Sequence, residues 1–110
     1  MEQTPDFCFL YSTFPDRESA LKVARALVEA QLAACVNVGA PMTSIYEWDG
    51  KREETSEIAV LIKTRRSLIQ RCYDAARPLH PYALPCFVVL PLIGGNEDYL
   101  TWLCNQTKSA

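Results

Sequence analysis

The chain has one histidine, four glycines and no Cys-x-x-Cys pair among its five cysteines. A lone histidine cannot complete a tetrahedral metal site without other donors. Cys8, Cys35, Cys72, Cys86 and Cys104 are odd in number, scattered and set among apolar neighbours. That is neither a zinc spacing nor the even, dense pattern of a disulfide framework. No apolar run approaches the roughly 18 residues of a membrane span. The N-terminus has no basic segment leading into an apolar core. Basic residues do not exceed acidic ones, and a net charge of −2 lacks the cationic face of a nucleic-acid binder. There is no Gly-rich phosphate loop, no G-x-S-x-G and no H-E-x-x-H, so no catalytic constellation forms and no enzyme activity is expected. A cytosolic protein with no membrane or nucleic-acid partner is the expectation.

What is present is an ordinary globular composition. Hydrophobic residues make up 49% and charged residues 22% of 110 positions, enough for the core of one domain covering 1–110. Residues 1–5 are polar and expected to be loose. Phe7 to Thr13 reads as an aromatic-rich strand. Pro15 suits a first helical turn, and residues 16–31 follow a 3.6 period through Ala20, Val23, Ala24, Leu27 and Val28. Leu32 to Val38 reads as a second strand, with a bulge or bend at Gly39-Ala40-Pro41 because proline cannot donate to a ladder. The strand resumes from Ser44 to Trp48. Asp49-Gly50 then supplies a two-residue turn, since both residues tolerate positive φ.

The return arm runs from Lys51 to Thr64. At roughly 3.3 Å per residue, each arm of this hairpin reaches on the order of 45 Å. A chain of this length cannot cover such a hairpin, so part of it is expected to pack on another copy. Thr64 reads as the N-cap of a helix over 65–77, stopped by Pro78. Leu79 to Pro85 is a proline-stiffened connector, Cys86 to Leu90 a fourth strand, and Asn96 caps a last short helix. The order is β-α-β-β-α-β plus a terminal helix, the ferredoxin-like α+β arrangement. Leu32–Val36, Ile58–Ile62 and Cys86–Leu90 are almost continuously apolar. A sheet with helices on one face should alternate, so the other face needs a partner sheet, most simply from identical subunits.

The candidate chemistry is sparse. His80, in Leu79-His80-Pro81-Tyr82, is either a metal ligand or a ring that hydrogen-bonds locally to fix the connector. Cys86, six residues on, is either a soft copper ligand or a small core residue. Glu47, Asp49, Glu53, Glu54 and Glu57 gather on the hairpin and read as a solvated face. Tyr46 and Trp48 point to one side of their strand and suggest a contact surface for a subunit or a ligand.

Several segments together resemble the CutA divalent-cation tolerance family. They are Leu32-Ala33-Ala34-Cys35-Val36-Asn37, Ser44-Ile45-Tyr46 with Trp48, Gly50-Lys51 and Glu57, and Leu61-Ile62-Lys63-Thr64. His80-Pro81-Tyr82 with Pro85, Leu90-Pro91, and Tyr99-Leu100 with Trp102-Leu103 complete the set, in order and over nearly the whole chain. The resemblance implies a homotrimer in which long hairpins embrace neighbours, with Tyr46, Trp48, Lys63, Tyr82 and Trp102 at subunit interfaces or a ligand cleft. It also implies a loose association with copper or other divalent cations, for which only His80 transfers from the family's copper-associated set, with Cys86 as a local candidate for the second ligand. The copper-associated pattern of some bacterial members has cysteine in place of Ser12 and histidine in place of Leu79, and many members have glutamate in place of Cys86. The trimeric plan is similar to that of the PII signalling proteins, so a small-ligand regulator without metal is the alternative. An acylphosphatase-like enzyme would need an arginine in the loop after strand one, where this chain has Phe14-Pro15-Asp16. An RNA-binding module would need stacking aromatics that the third strand lacks.

Overall fold

Four extended segments build one antiparallel sheet in the computed structural model, which describes residues 6–108. The strands are β1 (Phe7–Phe14), β2 (Cys35–Trp48), β3 (Lys51–Arg65) and β4 (Phe87–Pro91), in the spatial order β2-β3-β1-β4. The helices are α1 (Arg17–Glu29), α2 (Ile69–Ala76) and α3 (Glu97–Asn105), and single 3₁₀ turns at Arg66–Leu68 and Arg77–Leu79 flank α2. This is the expected ferredoxin-like order with the expected terminal helix. The expectation for residues 1–5 lies outside the described residues.

Local chemistry accounts for most element ends. Asp16 is extended and accepts a hydrogen bond from the Ser19 N–H at 2.7 Å, capping α1. The helix stops at Glu29 rather than at residue 31, because Gln31 takes φ 58°. Leu32 and Ala33 were expected in β2. Instead their N–H groups turn back onto the Leu27 carbonyl at 3.0 and 3.2 Å, and β2 begins at Cys35. Thr64 does not cap α2. It stays in β3, paired with Cys8, and its buried hydroxyl donates to the Leu32 carbonyl at 2.5 Å. The ladder with β1 runs on to the Phe7–Arg65 pair, and this pairing outcompetes the local cap. Asn96 caps α3 as expected, accepting from Tyr99 N–H at 2.7 Å.

The hairpin follows its sequence signals. Asp49 and Gly50 sit at φ 52° and 76°, and Trp48 pairs with Lys51, as a type I′ turn requires. The register slips between Val38 and Pro41, so Gly39 and Ala40 oppose Ala59 alone. A side chain at Gly39 would place its Cβ 3.2 Å from the Ala59 carbonyl oxygen, which explains a glycine there. Beyond this bulge the ribbon projects, and the molecule is 45 Å long but only 26 by 22 Å across.

The sheet has two distinct faces. Cys8 and Leu10 of β1, with Ile58, Val60 and Ile62 of β3, pack with Val23 and Leu27 of α1 and Leu68 and Cys72 of α2. The opposite face carries Phe9, Tyr11, Leu61, Val88 and Leu90, which are cross-strand neighbours. Helix α3 lies over one end of that face, where Lys63 Nζ meets the Tyr99 hydroxyl at 3.4 Å and Arg65 Nε donates to Thr107 Oγ1 at 2.9 Å. The rest is open, with Val88 48% and Leu90 42% exposed.

Candidate functional site

Two structures meet where β1 ends: a hydrogen-bonded latch and a cleft beside it. The latch is centred on His80, which is only 7% exposed. Its Nε2–H donates to the Thr13 carbonyl at 2.9 Å, and its Nδ1 accepts the Tyr82 N–H at 3.2 Å. A carbonyl only accepts and an amide N–H only donates, so these partners define a neutral ring with its proton on Nε2. The ring stacks on Phe14 at 4.2 Å between centroids. Ser12 Oγ lies 3.3 Å from Nε2 and donates to the Cys86 carbonyl at 2.5 Å. Burial pushes the His80 pKa below its ordinary value, and the Arg77 charge adds to this. The Thr13 hydrogen bond and the Glu57 charge oppose it. The connector 79–86 is thus pinned to β1 from both ends.

The cleft has a volume of about 340 Å³ and is lined by Tyr46, Trp48, Glu57, Tyr82, Leu84 and Cys86 among others. The Tyr82 hydroxyl donates to Glu57 Oε2 at 2.8 Å. Burial and this carboxylate hold the phenol protonated far above its usual range. Burial, then the Glu57 charge, also push the Cys86 thiol up.

Of the residues singled out from the sequence, Tyr46, Trp48, Tyr82 and Cys86 therefore share one cleft, with His80 behind it. Lys63 and Trp102 lie apart, Lys63 on the outer face of β3 and Trp102 on α3 itself. Lys63 Nζ sits 5.5 Å from the Phe9 ring centroid, and Trp102 packs on Tyr99 at 5.6 Å. Two residues of the site were not anticipated. Glu57 was grouped with the solvated acids. The I′ turn pairs Trp48 with Lys51, Tyr46 with Glu53 and Met42 with Glu57, so period-two counting puts Glu57 on the Tyr46 face. Ser12 was noted only as a departure from a family pattern, and no local signal marks its bond to Cys86.

One chain does not fit a resident metal ion. Among the described residues no group of three His, Cys, Asp or Glu side chains is placed to hold one. Both His80 nitrogens already have partners, and the Cys86 thiolate is disfavoured. Nor is there an arginine in the loop after β1, since Asp16 caps α1 and Arg17 is its first residue. No helix among the described residues is long and apolar enough to cross a membrane.

A β2-β3-β1-β4 antiparallel sheet, helices packed on one face and a projecting hairpin define a ferredoxin-like α+β protein of the long-hairpin kind. The chain belongs to the CutA1 divalent ion tolerance protein family, whose profile matches residues 8–106. It is 46% identical over 99 residues to human Protein CutA, covering 90% of this chain and 55% of that protein. It is 43% identical over 95 residues to the divalent-cation tolerance protein CutA of Thermus thermophilus, covering 86% and 92% of the two chains. The crystal structure of CutA1 from the psychrotrophic bacterium Shewanella sp. SIB1 superposes with a TM-score of 0.93 at 36% identity, over 96% of this chain and 99% of that one. The chain spans about half the length of the plant and mammalian relatives it matches.

Proposed function

We propose that the chain acts without catalysis, as a cytoplasmic homotrimer in divalent-cation tolerance. The observation that carries the assembly is the open apolar face of the sheet together with the projecting hairpin. Phe9, Tyr11, Leu61, Val88 and Leu90 share that face, and Ile45 and Trp48 on the ribbon are 64% and 58% exposed. Exposed apolar side chains on both the open sheet face and the ribbon mark surfaces meant for another protein. The number three rests on the family resemblance. Lys63, Trp102 and the Tyr46–Trp48–Tyr82 cleft lie at the subunit junctions in this reading. Copper-like ions bind weakly near His80 and Cys86, because ligation must first break a latch hydrogen bond and a neighbour must supply further donors. The five free cysteines suit a reducing compartment. The cleft favours a second reading, a small-ligand regulator without physiological metal.

Light scattering at micromolar concentration should give about three times the 12.4 kDa chain mass, and a folded monomer would end the assembly reading. Calorimetric titration of copper into reduced protein should show weak binding that falls in His80→Ala and Cys86→Ser. Tight binding at one site per chain, or binding indifferent to both substitutions, would refute the metal contact.

A further inference from the structure

The walls of the cleft limit what can occupy it. Three aromatic side chains, Tyr46, Trp48 and Tyr82, surround it, and the one charged group among its described lining residues is the Glu57 carboxylate. No lysine or arginine is among those residues. Arg77, on the connector side, donates to the Ala83 carbonyl at 3.1 Å. Glu57 spends one hydrogen bond on Tyr82. A carboxylate has about four lone-pair sites, so acceptor capacity remains.

Aromatic faces carry negative quadrupole potential and attract cations, Trp most strongly. Electron-rich rings and a carboxylate together repel anions and reward a positive charge. A bare metal ion is a poor occupant. It needs several donors within roughly 2.0–2.6 Å, and the cleft offers one carboxylate and a thiol held protonated. A volume of about 340 Å³ is also far larger than an ion and falls in the range of small-molecule sites. Leu84 and Ala83 supply an apolar wall for a carbon skeleton.

We propose that this cleft binds a small organic cation, an ammonium group carried on a compact apolar body, with its charge held against the aromatic side chains and Glu57. The proposal deepens the small-ligand reading of the cleft by naming the ligand class. In the trimeric reading the cleft opens at a subunit junction, and every lining residue named comes from one chain.

Choline is a suitable probe, and 3,3-dimethyl-1-butanol is its uncharged isostere. Calorimetry on the full-length protein should show saturable choline binding, with the isostere at least tenfold weaker. The Trp48 indole N–H resonance should shift with the same saturation curve. Glu57→Gln keeps the shape of the side chain and an acceptor for Tyr82. It should weaken choline about tenfold and leave the isostere unchanged. Trp48→Leu should weaken choline by more than it weakens the isostere. Equal affinity for choline and its isostere, or choline binding untouched by Glu57→Gln, would overturn the proposal, as would no saturable binding at millimolar choline. Light scattering on the same samples separates the readings. A trimer that ignores choline refutes the ligand class alone, and a monomer that binds it refutes the assembly alone.

Discussion

Replacing His80 by alanine tests whether the only histidine holds the fold or waits for a metal. The substitution removes a ring that is 7% exposed and stacked on Phe14. It also orphans two backbone groups, the Thr13 carbonyl and the Tyr82 N–H. Thr13 is buried, so its carbonyl bears most of the roughly 1–3 kcal/mol that an unsatisfied buried group costs. Tyr82 is half-buried, and water can partly replace the ring nitrogen for its N–H. The lost aromatic contact adds about 0.5–1.5 kcal/mol. The sum is about 3 kcal/mol, a large share of the stability of a small domain. Urea denaturation followed by circular dichroism measures it, with chelator present and protein concentration held equal between variants. The loss should appear in full in metal-free buffer. A stability loss below about 1 kcal/mol under chelator, rising only when copper is supplied, would refute the latch and make His80 a ligand.

Two further outcomes follow from the same geometry. His80 has a folded pKa below its ordinary value, so the unfolded chain binds its proton more readily. Stability is therefore complete above the unfolded pKa near 6.5 and is lost as pH falls through it. Thermal melts between about pH 7.5 and 5 should show this loss in wild type, and His80→Gln should flatten it; a slope unchanged by His80→Gln would refute the assignment. Arg65 donates to Thr107 Oγ1 at 2.9 Å and to the Lys108 carbonyl, fastening the end of α3 to the sheet. Arg65→Ala should loosen α3 by about 2–3 kcal/mol, seen as faster amide exchange over 97–107 with β1 and β3 unchanged, and uniform exchange in both proteins would refute the clamp.

What was legible in the sequence was mostly what neighbours in sequence decide. Asp49-Gly50 announces a I′ turn because positive φ is a property of those residues, and Pro41 announces a ladder defect because it lacks an N–H. The continuous apolar strands revealed a face with no cover in one chain. Thr64 misled because a hydroxyl before an apolar-periodic run looks like a cap. Its true partner is the Leu32 carbonyl, 32 residues away, and the β1 ladder holds it in a strand. His80 posed the same difficulty. Which atom receives its proton depends on the end of β1, 67 residues earlier, and no spacing rule reaches that far.

The latch and the cleft also explain each other. Ser12 lies far in sequence from His80 and Cys86, yet the three form one cluster at the end of β1. Ser12 and Cys86 are two of the positions at which the resemblance implies a departure from the copper-associated pattern. In this chain the cluster is spent on hydrogen bonds: serine donates to a carbonyl, and a neutral imidazole bridges a carbonyl and an N–H. Drawing His80 to a metal would release the connector that positions Tyr82, so ion binding there competes with the fold. The side chains of Tyr46, Trp48 and Glu57 take no part in the latch. They can therefore accept a ligand without disturbing it, and the rigid connector places the Tyr82 ring against them. A site that binds ions poorly and a cleft shaped for a larger cation are two consequences of one arrangement.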